Sequence, residues 1–227
     1  MTSVLSALAR WFPLMFQGFL FNLVISALAV SIGTVAGTFV GLGLVSRSGV
    51  VRKAAWSITQ FFRNAPWLVL LFFAMFAVPF EFKIGGFTVP FPDWLKATLG
   101  LSLPVMANVA EIVRGAIQSI PMGQWESAES LAFSRRQTLW MIILPQCIKR
   151  MLPPWMNLYA ILTMATPLAS IVGVAEGLTI TRSALAAEGR PELLLPFYLL
   201  LLCMFFCYCY PIARWTARLE RRYAVVT

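Results

Sequence analysis

Residues 124–146 read QWESAESLAFSRRQTLWMIILPQ: two glutamates, two arginines and a run of small residues in a helix-compatible stretch, followed by Leu-Pro. The chain around this segment is strongly apolar. Of its 227 residues, 59% are hydrophobic and only 12% charged, where a soluble domain carries about 25% charged residues. That deficit places the chain among integral membrane proteins. A charged helix in such a chain belongs outside the lipid, and residues 124–146 read as a handle gripped from the cytoplasm by another protein.

A membrane helix needs about 20 consecutive apolar residues, and the weakly charged stretches supply five spans. They cover about 11–46, 54–80, 97–120, 151–175 and 193–213. The first is long for one helix and short for two, which predicts one helix with an interfacial lead-in. Five spans put the termini on opposite faces, and the basic residues choose between the two orientations. With the N-terminus outside, the inner side holds all of the 18 basic residues except Arg10, Lys83, Lys96, Arg182 and Arg190. The net charge of +9 is then a topology signal and the mark of a surface facing anionic lipid. Basic residues scattered over loops between spans argue against a nucleic-acid partner. The first residues, MTSVLSALARWFP, do not read as a cleavable signal peptide.

Within the spans a few residues stand out. Gly33, Gly37 and Gly41 recur every four residues, a spacing that lets a second helix approach closely, either in this chain or in a neighbouring subunit. Pro66 removes a backbone donor and kinks or restarts the second helix. Arg63 and Asn64 precede it; Arg63 either snorkels to the interface or faces the bundle interior. Glu111 and Arg114, three apart, pair on one helix face. Asn108, Thr166 and Ser170 are polar groups in apolar spans, and Pro167 frees a carbonyl beside them. The outer connections are a Pro-, Gly- and aromatic-rich stretch with a hairpin around Gly85 and Gly86, and a short segment between spans four and five. Cysteines 203, 207 and 209 fall inside span five and read as small packing residues with no metal site.

In the handle, Pro121 and Gly123 end the third helix and Glu126 starts a new one, its carboxylate favoured by the dipole in the first turn. Trp125, Ala128, Leu131 and Ala132 form a narrow apolar stripe opposite Glu129, Ser130, Ser134, Arg135 and Arg136. Such a helix could lie flat on the membrane, but the stripe is small and built from small residues. It fits close contact with a partner groove better. Pro145 then breaks the chain before span four.

The run ESAESLA, followed nine residues after Ala132 by IILP, resembles the EAA loop of ABC importer permeases. That pattern is Glu-Ala-Ala, three residues, Gly, nine residues, then Ile-x-Leu-Pro. Glu126, Ala128, Ile142, Leu144 and Pro145 match it; Ser127 replaces an Ala and Ala132 the Gly, both still small. FFRNAPWLVLLFF, AEIVRGAIQSIPMGQWESAESL and ILPQCIKRMLPPWMN are similar to permeases for histidine, arginine, glutamine, glutamate and opines, over about residues 22–222.

The resemblance implies an all-α integral membrane protein with five transmembrane helices of the type I, MetI-like importer fold and a cytoplasmic coupling helix. It implies one permease unit over residues 1–227, with a core of about 18–214 and a coupling loop of about 121–146, in a bacterial inner membrane. The ATPase-coupling residues would be Trp125, Glu126, Ser127, Ala128, Glu129, Leu131, Ala132, Leu144 and Pro145. The substrate path would draw on Arg63, Asn64, Asn108, Glu111, Thr166 and Ser170. Partners would be a cytoplasmic ATPase dimer binding ATP and Mg, an identical or homologous second permease, a periplasmic or lipid-anchored binding protein and a polar amino acid. The chain itself has no Gly-x-x-x-x-Gly-Lys-Ser/Thr loop and would hold no cofactor. Where the family often reads Lys-Asp-Thr-Ser-Leu, residues 164–168 read MATPL, so any charged contacts there would come from the paired subunit. A secondary transporter or channel with inverted repeats is the alternative, although five unequal spans show no paired halves. An enzyme is disfavoured: the chain has no histidine, no acidic pair within a span and no Gly-x-Ser-x-Gly.

Overall fold

A single helix of 41 residues, α1 (Val4–Leu44), opens the fold. In the computed structural model, which describes residues 3–84 and 87–223, Ser3 caps α1 by accepting a hydrogen bond from the Ser6 amide at 3.2 Å. At 1.5 Å per residue α1 is about 60 Å long, twice the hydrocarbon thickness. Its first half continues the same helix and packs one side on protein. Ala7 and Met15 are fully buried with Ala184, Leu193 and Phe197 in an outer cluster, and the Trp11 indole donates to Glu188 at 2.9 Å. Leu5, Phe12, Leu14 and Phe16 on the same turns stay exposed.

The second predicted span is broken. Helices α2 (Gly49–Asn64) and α3 (Trp67–Ala77) meet at 106°. Pro66 forces Ala65 into extended backbone (φ −75°, ψ 138°), because its ring disfavours helical geometry in the residue before it. Polar and apolar residues segregate on α2, whereas α3 is wholly apolar and only about 16 Å long. Among the described residues, therefore, four helices are long and apolar enough to cross a membrane, or five if this bent pair counts as one span.

Strands β1 (Glu81–Ile84) and β2 (Phe87–Pro90) pair antiparallel, Glu81 opposite Pro90 and Ile84 opposite Phe87. This is the expected hairpin; its turn, Gly85 and Gly86, lies outside the described residues. Helix α4 (Asp93–Gln118) is the spine of the bundle. Its apolar window is 61% buried, against 39%, 33% and 28% in the other long helices. Leu101, Val105, Val109 and Val113 recur every four residues, all fully buried, and form one face of the main core with Ile25, Ala29, Leu71 and Leu162.

Gly33, Gly37 and Gly41 meet α4 of the same chain. A Cβ on Gly37 would stand 2.5 Å from the Met106 carbonyl oxygen, and one on Gly33 2.5 Å from Val105. The stripe is the seat of the α1–α4 pair.

After α4 come α5 (Met122–Ser130) and a short turn, α6 (Arg135–Gln137). A π-helical turn at Thr138–Ile143 then leads into α7 (Leu144–Ala165) and a 3₁₀ turn at Thr166–Val172. Pro145 does not break the chain. It sits at the start of α7, where the wider π turn before it accommodates its missing N–H and its ring. The connection to the last span also holds a helix, α8 (Gly177–Glu188), before α9 (Leu194–Tyr223). Cys203 and Cys207 point away from the bundle on α9, while Cys147 and Cys209 are buried.

The junction of α1 with α8 is polar and closed. Gly18 and Gly177 lie backbone to backbone, and a Cβ on Gly18 would stand 2.8 Å from the Gly177 Cα. Beside them Asn22, Thr166 and Glu176 are fully buried. The Asn22 amide nitrogen donates to Thr166 Oγ1 (2.9 Å) and Glu176 Oε2 (2.8 Å), and its oxygen accepts from the Gly177 N–H (2.9 Å). Glu176 in turn caps α8, accepting from the Leu178 and Thr179 amides, each at 3.0 Å.

Candidate functional site

The handle is a compact, two-part structure. Helix α5 starts at Met122, so Glu126 lies in its second turn rather than its first, and Gly123 is within it. Ala128 is 1% exposed and Trp125 is half-buried against the main core, with the Arg135 guanidinium 5.5 Å from its ring. The apolar stripe stops there. Leu131 is the C-cap and is 72% exposed, and Ala132 lies beyond the helix with φ +58°.

That φ explains the geometry of the helix end. The Ala132 N–H donates to the Glu129 carbonyl (2.9 Å) and the Phe133 N–H to the Ala128 carbonyl (3.1 Å), the paired bonds of a Schellman motif. The left-handed position is normally glycine, and an alanine there is strained. Ser134 immediately opens the next helix with a reciprocal capping box to Gln137. The Ser-x-x-Gln spacing of residues 134–137 carries the signature of that box in the sequence.

Folding therefore turns Ala128 inward and presents Met122, Glu126, Ser127, Glu129, Ser130 and Leu131 outward. Leu144 is half-buried on the core, Pro145 is exposed, and Ile143 between them and α6 is fully buried and anchors the segment. One contact ties α5 to α7, Gln146 donating to the Gln124 carboxamide at 3.2 Å, and a second ties the end of α4 to α7, Arg150 donating to the Ser119 hydroxyl at 2.9 Å.

Beside this junction a cleft of about 500 Å³ opens between the end of α2, the C-terminal half of α4 and α7. It brings together Arg63, Asn108 and Glu111 of the predicted path residues, and adds Ser119, Arg150 and Asn157. Glu111 accepts from Arg114 at 2.6 and 2.9 Å, the expected ion pair. The other three predicted path residues are not among its lining. Asn64 is exposed and bonds Gln60 at 2.7 Å, Thr166 is buried in the α1–α8 network, and Ser170 bonds the Pro167 carbonyl at 2.7 Å. Asn157 was discoverable as a polar residue inside span four. The partners of Asn22 and Glu176 were not, since 154 residues separate them.

A multi-helix bundle spanning a membrane, with a polar cleft at one end and an adjoining helix presented to solvent, is a membrane transport subunit. Residues 33–225 match the family model "Binding-protein-dependent transport system inner membrane component", and the chain belongs to that family: it is a multi-pass permease subunit of an ATP-driven, binding-protein-dependent importer. It is 36% identical over 213 residues to the "Probable amino-acid ABC transporter permease protein YckA" of Bacillus subtilis, covering 94% of this chain and 90% of that one. Among solved structures, a chain of an "amino acid ABC transporter with histidines" superposes with a TM-score of 0.82 at 25% identity, covering 98% of this chain and 99% of that chain. A chain of the inward-facing MetNI methionine ABC transporter shares the fold, with a TM-score of 0.69 at 18% identity, covering 92% and 97%.

Proposed function

We propose that this permease passes polar amino acids through the cleft between α2, α4 and α7, and that α5 couples the passage to ATP hydrolysis on a separate cytoplasmic subunit. ATP and Mg bind that subunit, and a second permease, identical or homologous, closes the other half of the pathway. A binding protein delivers the amino acid from outside, with the N-terminus of this chain outside and its C-terminus in the cytoplasm. The outward residues Glu126, Ser127, Glu129 and Leu131 are the contact offered to the ATPase; Trp125, Ala128 and Leu144 seat the contact on the core. Ala132 sets the angle at which α5 ends.

One observation carries the reading: the exposed coupling helix and the polar cleft share a mechanical joint. Gln124–Gln146 and Ser119–Arg150 connect α5 and the end of α4 to α7, so a pull on α5 moves two of the three walls of the cleft. The amino-acid substrate is supported by the names of the similar proteins.

The test is uptake in proteoliposomes holding the complete importer with its binding protein. Asn157→Leu removes a polar group from the cleft wall, and uptake should fall about tenfold while ATP hydrolysis persists, the loss expected when a hydrogen bond to the charged substrate is removed. Unchanged uptake would remove the cleft from the pathway.

A further inference from the structure

The inner cleft adjoins a second cavity of about 460 Å³, and Arg63 and Glu111 line both. The two walls together carry Arg52, Lys53, Arg63, Arg114 and Arg150 against one carboxylate, Glu111. That carboxylate is engaged by Arg114. Arg150 is engaged by Ser119, and Arg52 donates to the Ser46 carbonyl at 3.0 Å. Arg63 and Lys53 are exposed and have no hydrogen-bond or ion-pair partner among the described residues, and of these two only Arg63 lines both cavities. The Pro66 break fixes it in the last turn of α2, on the same cleft wall system as the carboxamides of Asn108 and Asn157.

Two ordinary reasons favour a cation at this place, the C-terminal end of a helix dipole and the inward bias of basic residues. Neither requires the guanidinium to line an open cleft together with two carboxamides. The Asn108 nitrogen is already donating to the Pro104 carbonyl at 2.8 Å, which leaves its oxygen to accept from an ammonium group. A guanidinium fork matches a carboxylate in bidentate geometry. The volume of about 500 Å³ lies within the roughly 300–1,000 Å³ of small-molecule sites.

We propose that Arg63 holds the α-carboxylate of the passing amino acid and that the cleft selects by charge, taking zwitterionic or anionic amino acids and rejecting those of net positive charge. The proposal rests on the reading of the cleft as the passage. A cationic side chain adds a like charge to walls whose one carboxylate is already paired, and like charges in a shared cavity repel. A zwitterion adds none, and its carboxylate meets the unpartnered arginine.

The test uses the nucleotide-free importer in lipid nanodiscs without its binding protein, so that the cleft alone is probed. Equilibrium binding is measured for L-glutamine, L-glutamate, L-arginine and 4-aminobutanamide, which is glutamine without its α-carboxylate. Glutamine or glutamate should bind at millimolar concentration or below, L-arginine at least about tenfold more weakly, and 4-aminobutanamide not at all. Arg63→Ala should weaken binding of the carboxylate ligands by roughly 10- to 100-fold, the range for a lost hydrogen bond to a charged group. Arg63→Lys keeps the charge at the helix end, assembles normally and binds with intermediate strength.

Arginine bound as tightly as glutamine, or no carboxylate ligand bound by the wild type, would overturn the proposal. If Arg63→Ala and Arg63→Lys bind as the wild type does while Asn157→Leu abolishes binding, the cleft stands as the passage and the charge selection fails. If none of these variants alters binding, the passage reading itself falls.

Discussion

The two ends of this permease handle polar groups in opposite ways. At the α1–α8 junction Glu176, Asn22 and Thr166 are fully buried, and each is hydrogen-bonded. At α5 the glutamates are exposed, and the helix ends on an alanine in left-handed geometry. A buried network with every member paired fixes one arrangement of its helices. An exposed helix joined to the core through Trp125, Ala128 and the Gln124–Gln146 bridge can transmit a push without being part of the core. The contrast separates a part built to hold from a part built to be held.

The largest expected effect is at the closed end. Glu176→Ala removes the cap of α8 and leaves the buried Asn22 nitrogen and two amides short of their acceptor. It should destabilise the protein by about 2–5 kcal/mol, the cost of leaving several buried donors unsatisfied, read as a fall in detergent-solubilised melting temperature. Glu176→Gln keeps the shape and one acceptor oxygen, and should lose less than half as much. Equal losses would mean that the carboxylate charge, not the hydrogen-bonded shape, fastens α1 to α8.

Next comes the α1–α4 seam. Gly37→Val places a branched side chain 2.5 Å from backbone oxygen at Met106 and should cost about 1–3 kcal/mol by overpacking. The same change at Gly49, which has nothing within 4 Å of its Cβ position, should cost at most about 1 kcal/mol. A comparable loss at both positions would refute close packing as the reason for the stripe.

The smallest change has the opposite sign. Ala132→Gly relieves the left-handed alanine and should stabilise the α5 turn by roughly 1 kcal/mol, seen as slower amide exchange at Phe133. Faster exchange would show that the alanine conformation is not strained.

The periodic parts of the fold were legible in the sequence. The apolar runs located the long helices, Pro66 marked the break in the second span, and Glu111 with Arg114 declared their pairing by spacing. What escaped depended on contacts distant in the chain or on geometry that a linear pattern does not carry. A proline marks a break in one backbone and, after a π turn, sits quietly at Pro145. The small residues of the handle were expected to face a partner, yet Ala128 faces the protein itself, because Trp125 and Ala128 are the side of α5 that can bury apolar surface. Of the path candidates, the cleft gathers those on the C-terminal half of α4 and at the end of α2; Thr166 was drawn instead into a network whose acidic member lies on another helix.

The central claim is that the outward face of α5 is the contact for a cytoplasmic ATPase. It is tested most directly by tagging this permease, solubilising its own membranes in mild detergent and identifying copurifying subunits by mass spectrometry. The comparison is between the wild type and Glu126→Arg combined with Glu129→Arg, two exposed positions whose substitution should change folding stability by no more than about 0.5 kcal/mol each. The account predicts an ATPase and a second permease copy with the wild type, and loss of the ATPase alone from the variant. Retention of the ATPase by a normally folded variant would contradict it.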